Sequence, residues 1–212
     1  MIPITMMTTK NKTILSYLDE LFPNVGCELN YHKDYELVIA VMLSAQTTDV
    51  AVNNVTQVLF DKYQTLESLA SADLEDIEDI IHSIGLYKNK AKNLIGIAQT
   101  LVDKYGGVVP SDKDELQKLP GVGNKTAGVI RAEIFKIPDL PVDTHILRIS
   151  KRLNLAKQED NPYKVKMALK KAFPEDSWIK LHHQLIHFGR YFCTAKKPQC
   201  EKCKISGFCR KK

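Results

Sequence analysis

The chain has 212 residues, 44% apolar and 26% charged, with a net charge of +5. That length can bury a real core, as one domain or two small lobes, and the composition is ordinary for a globular protein. The longest apolar run, ELVIAVMLSA, is too short to span a membrane, and MIPITMMTTKNK lacks the features of a secretion signal, so the expected compartment is the cytoplasm.

Helical periodicity dominates from end to end. It predicts helices near 11–22, 34–45, 49–63, 66–70, 73–83, 87–105, 111–118, 124–136, 143–153, 162–173 and 177–191. The one strand candidate, Gly107-Val108-Val109-Pro110, is too short to found a sheet. The helix ELVIAVMLSA is apolar nearly all round, so it should be central and buried. Ser111-Asp112-Lys113-Asp114 fits a capping box with Ser111 as the cap. Gly85, and Gly106-Gly107, read as helix stops because glycine tolerates the left-handed conformation. The segment KIPDLPVDTH, with two prolines, is the expected hinge between lobes. The expected fold class is all-α.

DELQKLPGVGNKTAGVIRAEIF reads as helix, tight turn, helix. Gly121 and Gly123, flanking Val122, would let the backbone approach a ligand closely, since no side chain intervenes. Amides at the next helix start then point outward with the positive end of the helix dipole, an arrangement that holds a phosphate without reading sequence. Lys125 lies in the first turn of that helix. As a phosphate partner it stays protonated; as a nucleophile it must lose a proton. An ordinary lysine, with a pKa near 10.4, is only about 0.1% neutral around pH 7.4. A helix N-terminus and partial desolvation both favour the neutral amine, the kind that forms Schiff bases with carbonyl-like carbons. On this chemistry alone both roles stay open, with phosphate binding the more ordinary.

Further on, PVDTHILRISKRL places Asp143 just before an apolar-periodic run, where it fits a helix N-cap. An ionised carboxylate there could also stabilise positive charge developing at a sugar's anomeric carbon, as in glycoside cleavage. His145 reads as a structural histidine.

The basic excess sits at the end of the sequence. Residues 193–212 hold six lysines and one arginine against one glutamate, a local +6, leaving the rest of the chain near −1. Such a footprint suits a polyanion, and it includes Lys196 and Lys197. Four cysteines run through it, Cys193, Cys200, Cys203 and Cys209, spaced C-x6-C-x2-C-x5-C. Four thiolates in so short a stretch would repel one another unless a cation collected them, so a metal site is indicated. The spacing leans towards an iron–sulfur cluster over zinc without deciding between them. Cys27 stands alone and reads as a small buried hydrophobe.

Taken together, LPGVGNKTAGV, VDTHILRI and the four-cysteine pattern closely resemble the endonuclease III family of DNA glycosylases, as do LSAQTTD at 43–49 and IGLYKNKA at 84–91. The resemblance runs from about residue 12 to the C-terminus. It implies a two-lobed helix–hairpin–helix architecture, with a six-helix lobe at 27–137 and a second lobe of 1–26 plus 138–212 carrying the cluster loop at 193–209. It implies an active-site cleft between the lobes and a bifunctional glycosylase and abasic-site lyase acting on oxidised pyrimidines in double-stranded DNA, as a monomer. Lys125 matches the lysine that attacks C1′ and forms the Schiff base, and Asp143 the aspartate that supports it. The four cysteines match the ligands of a [4Fe–4S] cluster. Gln46 and Leu86 match residues that fill the gap left by a flipped base. Taken alone, Gln46 fits a buried amide after an apolar helix and Leu86 an apolar contact at a helix end. Asn124 departs from the family, where arginine is frequent, and removes one charge from the hairpin.

Two other readings compete. A monofunctional relative would carry another residue in place of Lys125 and an added C-terminal domain. A non-catalytic helix–hairpin–helix module with structural zinc accounts for the basic loop but leaves Lys125 and Asp143 as coincidence.

Overall fold

The structure, a computed structural model, describes residues 7–210. Lys211 and Lys212 of the basic tail, and the first six residues of the 1–26 segment, lie outside the described residues. Two compact units emerge, Cys27–Phe135 and the combination of Met1–Gly26 with Lys136–Lys212. No strand occurs among the described residues, and Gly107–Pro110 is an irregular connection.

The Met1–Gly26 and Lys136–Lys212 unit opens with α1 (Thr9–Leu21). The other unit contains α2 (Asp34–Leu43), α3 (Asp49–Lys62), α4 (Leu66–Ala70), α5 (Leu74–Ile81), α6 (Tyr87–Tyr105), α7 (Lys113–Gln117) and α8 (Asn124–Phe135). As its composition requires, α2 is central: Leu37, Val38, Ile39, Ala40 and Leu43 are fully buried, and the helix packs against α3, α6 and α8. Each such side chain contributes about 1.5–3 kcal/mol of burial. Buried Glu36 is tolerated because its Oε2 accepts the N–H groups of His32 at 2.7 Å and Lys33 at 3.2 Å. α4 and α5 lie along α6, and α7 against α8.

Local chemistry sets most of these ends. Thr48 caps α3, Asp73 caps α5, and Thr65 exchanges reciprocal bonds with Ser68 at the start of α4. Two expectations need correction. The cap of α7 is Asp112, which accepts from Asp114 N and Glu115 N, and not Ser111; the ionised side chain takes both orphan amides. Gly106 and Gly107 do adopt left-handed conformations, but Gly85 does not. The left-handed residue there is Leu86, with φ of 61°.

The first unit continues with α9 (Thr144–Arg152), α10 (Pro162–Ala172) and α11 (Trp178–His187). α11 packs on α1 and α9 around Ile14, Leu18, Ile146, Ile149, Leu181 and Leu185, all fully buried. The helix expected over 177–191 is α-helical only to His187, then widens into a π-turn at Phe188–Phe192. The Cys193 N–H reaches back to Phe188 O at 2.6 Å. Gly189 sits on this turn because a Cβ would lie 2.9 Å from His145 Cβ and 3.2 Å from Arg148 Nη2.

Candidate functional site

The glycine hairpin lies between α7 and α8. Gly121 takes φ of 74°, and a Cβ on it would lie 2.7 Å from Asn93 Nδ2 and 3.0 Å from Met42 Cγ. This glycine is therefore needed for both conformation and space. A Cβ on Gly123 would meet nothing within 4 Å, so that side of the turn is open, while its carbonyl accepts Ala127 N at 2.9 Å. Val122 behaves differently from its neighbours. Its side chain is buried and its N–H donates to Leu119 O at 3.1 Å, so it fastens the turn. Lys125, the second residue of α8, is exposed. Its amine has no hydrogen-bond or ion-pair partner among the described residues.

Two other tips in the same unit are strained. Gln46 has φ of 56° and Leu86 φ of 61°, a region that side chains other than glycine rarely adopt and that costs about 1–3 kcal/mol each. Both are exposed, Leu86 by 59%. Gln46 is thus not a buried amide, and Leu86 makes no buried apolar contact at a helix end. Lys90, four residues after Leu86, is buried and donates from Nζ to Thr47 Oγ1 at 2.7 Å.

Asp143 is the N-cap of α9, accepting Ile146 N at 2.8 Å through Oδ1. One carboxylate oxygen thus holds the helix start. His145 is half-buried; burial holds its pKa below the usual histidine value although the Asp143 charge opposes this. Its Nδ1 lies 3.3 Å from Arg148 Nη2, in keeping with a structural role. Cys27 is half-buried against the core of its unit, and burial pushes its thiol up to about 11, so it stays protonated.

The four C-terminal cysteines converge. Cys193, Cys200, Cys203 and Cys209 all line one apolar-walled cavity of about 360 Å³, counting its open mouth, together with Leu153, Phe188, Phe192 and Arg152. Burial first, then the neighbouring Cys193, Cys209 and Cys200, push the Cys203 thiol up. Yet no three His, Cys, Asp or Glu side chains among the described residues converge tightly enough for a single ion. Four thiols lining one cavity suit a multi-atom cluster. Short turns supply the arrangement: Cys203 N bonds Cys200 O at 3.1 Å and Cys209 N bonds Ser206 O at 3.0 Å, with fully buried Ile205 as the anchor. Lys196 and Lys197 are exposed on the same loop, where Lys197 N donates to Thr194 Oγ1 at 3.2 Å.

Sequence reading missed the residues that hold this loop. Arg152 donates to Cys193 O at 3.2 Å, Cys193 Sγ at 3.3 Å, Thr194 O at 2.8 Å and Ala195 O at 3.0 Å. Arg148, one turn earlier on α9, donates to Gly189 O at 2.8 Å and to Cys193 O at 3.4 Å. The available signal was their four-residue spacing, which puts two planar donors on one helix face.

Comparison with known proteins agrees with this geometry. Residues 39–175 match the HhH-GPD superfamily base excision DNA repair protein family, and residues 193–209 match the iron–sulfur binding domain of endonuclease III. Endonuclease III of Bacillus subtilis (strain 168) is 45% identical over 196 residues, covering 92% of this chain and 90% of that protein. Endonuclease III of Escherichia coli (strain K12) is 40% identical over 204 residues, covering 96% of each. Among solved structures, a non-covalent endonuclease III–DNA complex superposes with a TM-score of 0.91 at 46% identity, covering 96% of both chains. A trapped endonuclease III–DNA covalent intermediate gives 0.90 at 46% identity, covering 96% of this chain and 97% of that one. The all-helical fold with its C-terminal iron–sulfur region is that of these proteins, and the cofactor is a [4Fe–4S] cluster. A hairpin with an exposed amine and four thiols set round a cavity thus occur in a chain matched along nearly its whole length, and this chain belongs to the endonuclease III family of HhH-GPD base excision DNA repair proteins.

Proposed function

We propose that this chain removes oxidised pyrimidines from duplex DNA and then cleaves the strand 3′ to the abasic site, with Lys125 as the attacking amine and Asp143 as the supporting carboxylate. The observation that carries the assignment is the exposed, unpartnered amine of Lys125 in the first turn of α8, directly after the glycine hairpin. In support, one similar protein has been captured as a covalent endonuclease III–DNA intermediate.

The chemistry then balances as follows. Neutral Lys125 Nζ bonds to C1′ of the damaged nucleotide, the glycosidic bond breaks, and the base leaves with a proton. Ring opening, with a proton delivered to O4′ as the C1′–O4′ bond breaks, gives a protonated imine, an electron sink. Loss of a C2′ proton gives an enamine, whose electrons then form a C2′=C3′ double bond as the C3′–O bond breaks and the 3′ phosphate leaves. Water releases the lysine. Asp143 stabilises cationic character at the sugar and shuttles protons. Because Lys125 is exposed in the free protein, bound DNA supplies the desolvation that favours its neutral form.

A base inside a duplex cannot reach these groups, so it must be flipped out at a cost of about a few kcal/mol. Gln46 and Leu86 fill the space it leaves. Gly121 and Gly123 bring backbone to phosphate, and exposed Lys196 and Lys197 add cationic contacts. The cluster, held by its four cysteines, supplies a rigid cross-link to this basic loop. The protein acts as a monomer on chromosomal DNA in the cytoplasm. No described helix is long and apolar enough to cross a membrane.

Borohydride trapping on abasic duplex DNA tests the assignment. The native protein should become covalently joined to the DNA, and Lys125→Ala should give no adduct while still binding. A native protein that binds abasic DNA without being trapped overturns the lyase role.

A further inference from the structure

Lys90 has no place in the chemistry above, yet it is only 4% exposed. Burying an ammonium group is expensive, and burial alone holds its pKa below the usual lysine value. A methionine would fill the same volume without that cost, so the amine must return something. What it touches is specific. Nζ donates to Thr47 Oγ1 at 2.7 Å, and that hydroxyl in turn donates to Ala45 O at 3.4 Å. This relay brackets Gln46 on both sides. The Lys90 backbone N–H bonds Leu86 O at 3.1 Å. One residue therefore ties together the two strained tips, Gln46 with φ of 56° and Leu86 with φ of 61°.

The tie lies on a single face of α6. Lys90 and Asn93 lie three residues apart on that face, which begins directly after Leu86 at the N-cap, and Asn93 Nδ2 abuts Gly121 of the hairpin. Conformations as costly as these persist only where the surroundings over-determine them. Lys90 is the polar link that does so for both tips at once.

We propose that Lys90 is a positioning residue, which through Thr47 and the backbone of Leu86 locks the two tips in one geometry so that they enter the base stack together. The inference rests on the reading of Gln46 and Leu86 as the inserting residues. It predicts that the tips lose their hold on DNA when the link is cut, although Lys90 touches neither substrate nor Lys125.

The test uses duplex DNA with 2-aminopurine opposite an abasic site, whose fluorescence rises as the base is unstacked. At saturating protein, Lys90→Met and Thr47→Val should each lose at least half of the native rise. Excision from lesion-containing duplex should fall roughly tenfold to a hundredfold, the usual worth of a hydrogen bond to a charged group. Thr47→Ser should restore both. The Lys90→Met, Thr47→Val double variant should be no worse than Lys90→Met alone, because both changes cut one link. Thermal melting confirms folding, and if Lys90→Met does not fold, Thr47→Val decides. A folded Lys90→Met or Thr47→Val protein with the full fluorescence rise overturns the proposal, provided Gln46→Ala and Leu86→Ala lower it. If those two leave the rise intact, the reading of the tips fails and the proposal falls with it.

Discussion

Arg152 donates to Cys193 Sγ at 3.3 Å while the same guanidinium holds the carbonyls of Cys193, Thr194 and Ala195. One side chain of α9 thus fixes the entry to the cysteine loop and touches a ligand sulfur. Arg152→Met would remove a charged donor from these part-buried and exposed carbonyls, at a combined cost of about 1–3 kcal/mol. We expect lower iron and acid-labile sulfide per purified chain, faster bleaching of the cluster in air, and a lower melting temperature. Arg152→Lys should rescue poorly, since a point charge cannot reproduce a planar fork.

Asp143 combines a structural and a chemical task that two substitutions can separate. Asparagine is as good an N-cap as aspartate but carries no charge, so Asp143→Asn should keep the melting temperature while excision falls by about 10²–10⁴-fold. Asp143→Ala should lose a similar activity and in addition about 1 kcal/mol of stability in denaturant titration.

The two hairpin glycines should part company. Gly121→Ala meets Asn93 and Met42 at φ of 74°, so it should destabilise by about 1–3 kcal/mol. Gly123→Ala meets nothing within 4 Å, so stability should stay within about 0.5 kcal/mol. If the hairpin holds phosphate as proposed, its methyl group stands in that approach, and affinity for abasic duplex should drop. Equilibrium unfolding and fluorescence anisotropy separate the two effects.

Asp139 gives the stability a defined acid limb. Its carboxylate is buried, which alone would raise its pKa, but Lys166 at 2.6 Å and Lys170 at 2.7 Å outweigh this and hold it at about 2. The folded value lies below the unfolded one, so the stabilisation is complete above about pH 4 and is lost as pH falls towards about 2. After allowance for solvent screening it is on the order of 1–2 kcal/mol. The melting-temperature gap between native protein and Asp139→Asn should therefore close across that window.

Helix positions were largely legible, because caps and periodicity act within a turn or two of the chain. α6 (Tyr87–Tyr105) and α4 (Leu66–Ala70) fall where their patterns put them. The misplaced cap of α7 is a one-residue contest between neighbours, Ser111 and Asp112, won by the stronger acceptor. Leu86 was not legible as a left-handed residue, since local preference favours the adjacent Gly85. Likewise Arg148 and Arg152 look like ordinary solvated charges on α9 until the π-turn at Phe188–Phe192 brings Gly189 and Cys193 beside them.

The sequence by itself determined the helices, the central place of α2, the glycine turn with a lysine after it, and the grouping of four cysteines. Each depends on residues close along the chain, whose spacing fixes which face or turn they share. Tertiary packing alone decided that the thiols line one cavity, that two arginines clamp their loop, and that a buried lysine joins two exposed tips. Those are contacts between segments distant in sequence. Their geometry follows from how the cores fill, because a buried polar group must find its partner wherever packing leaves one.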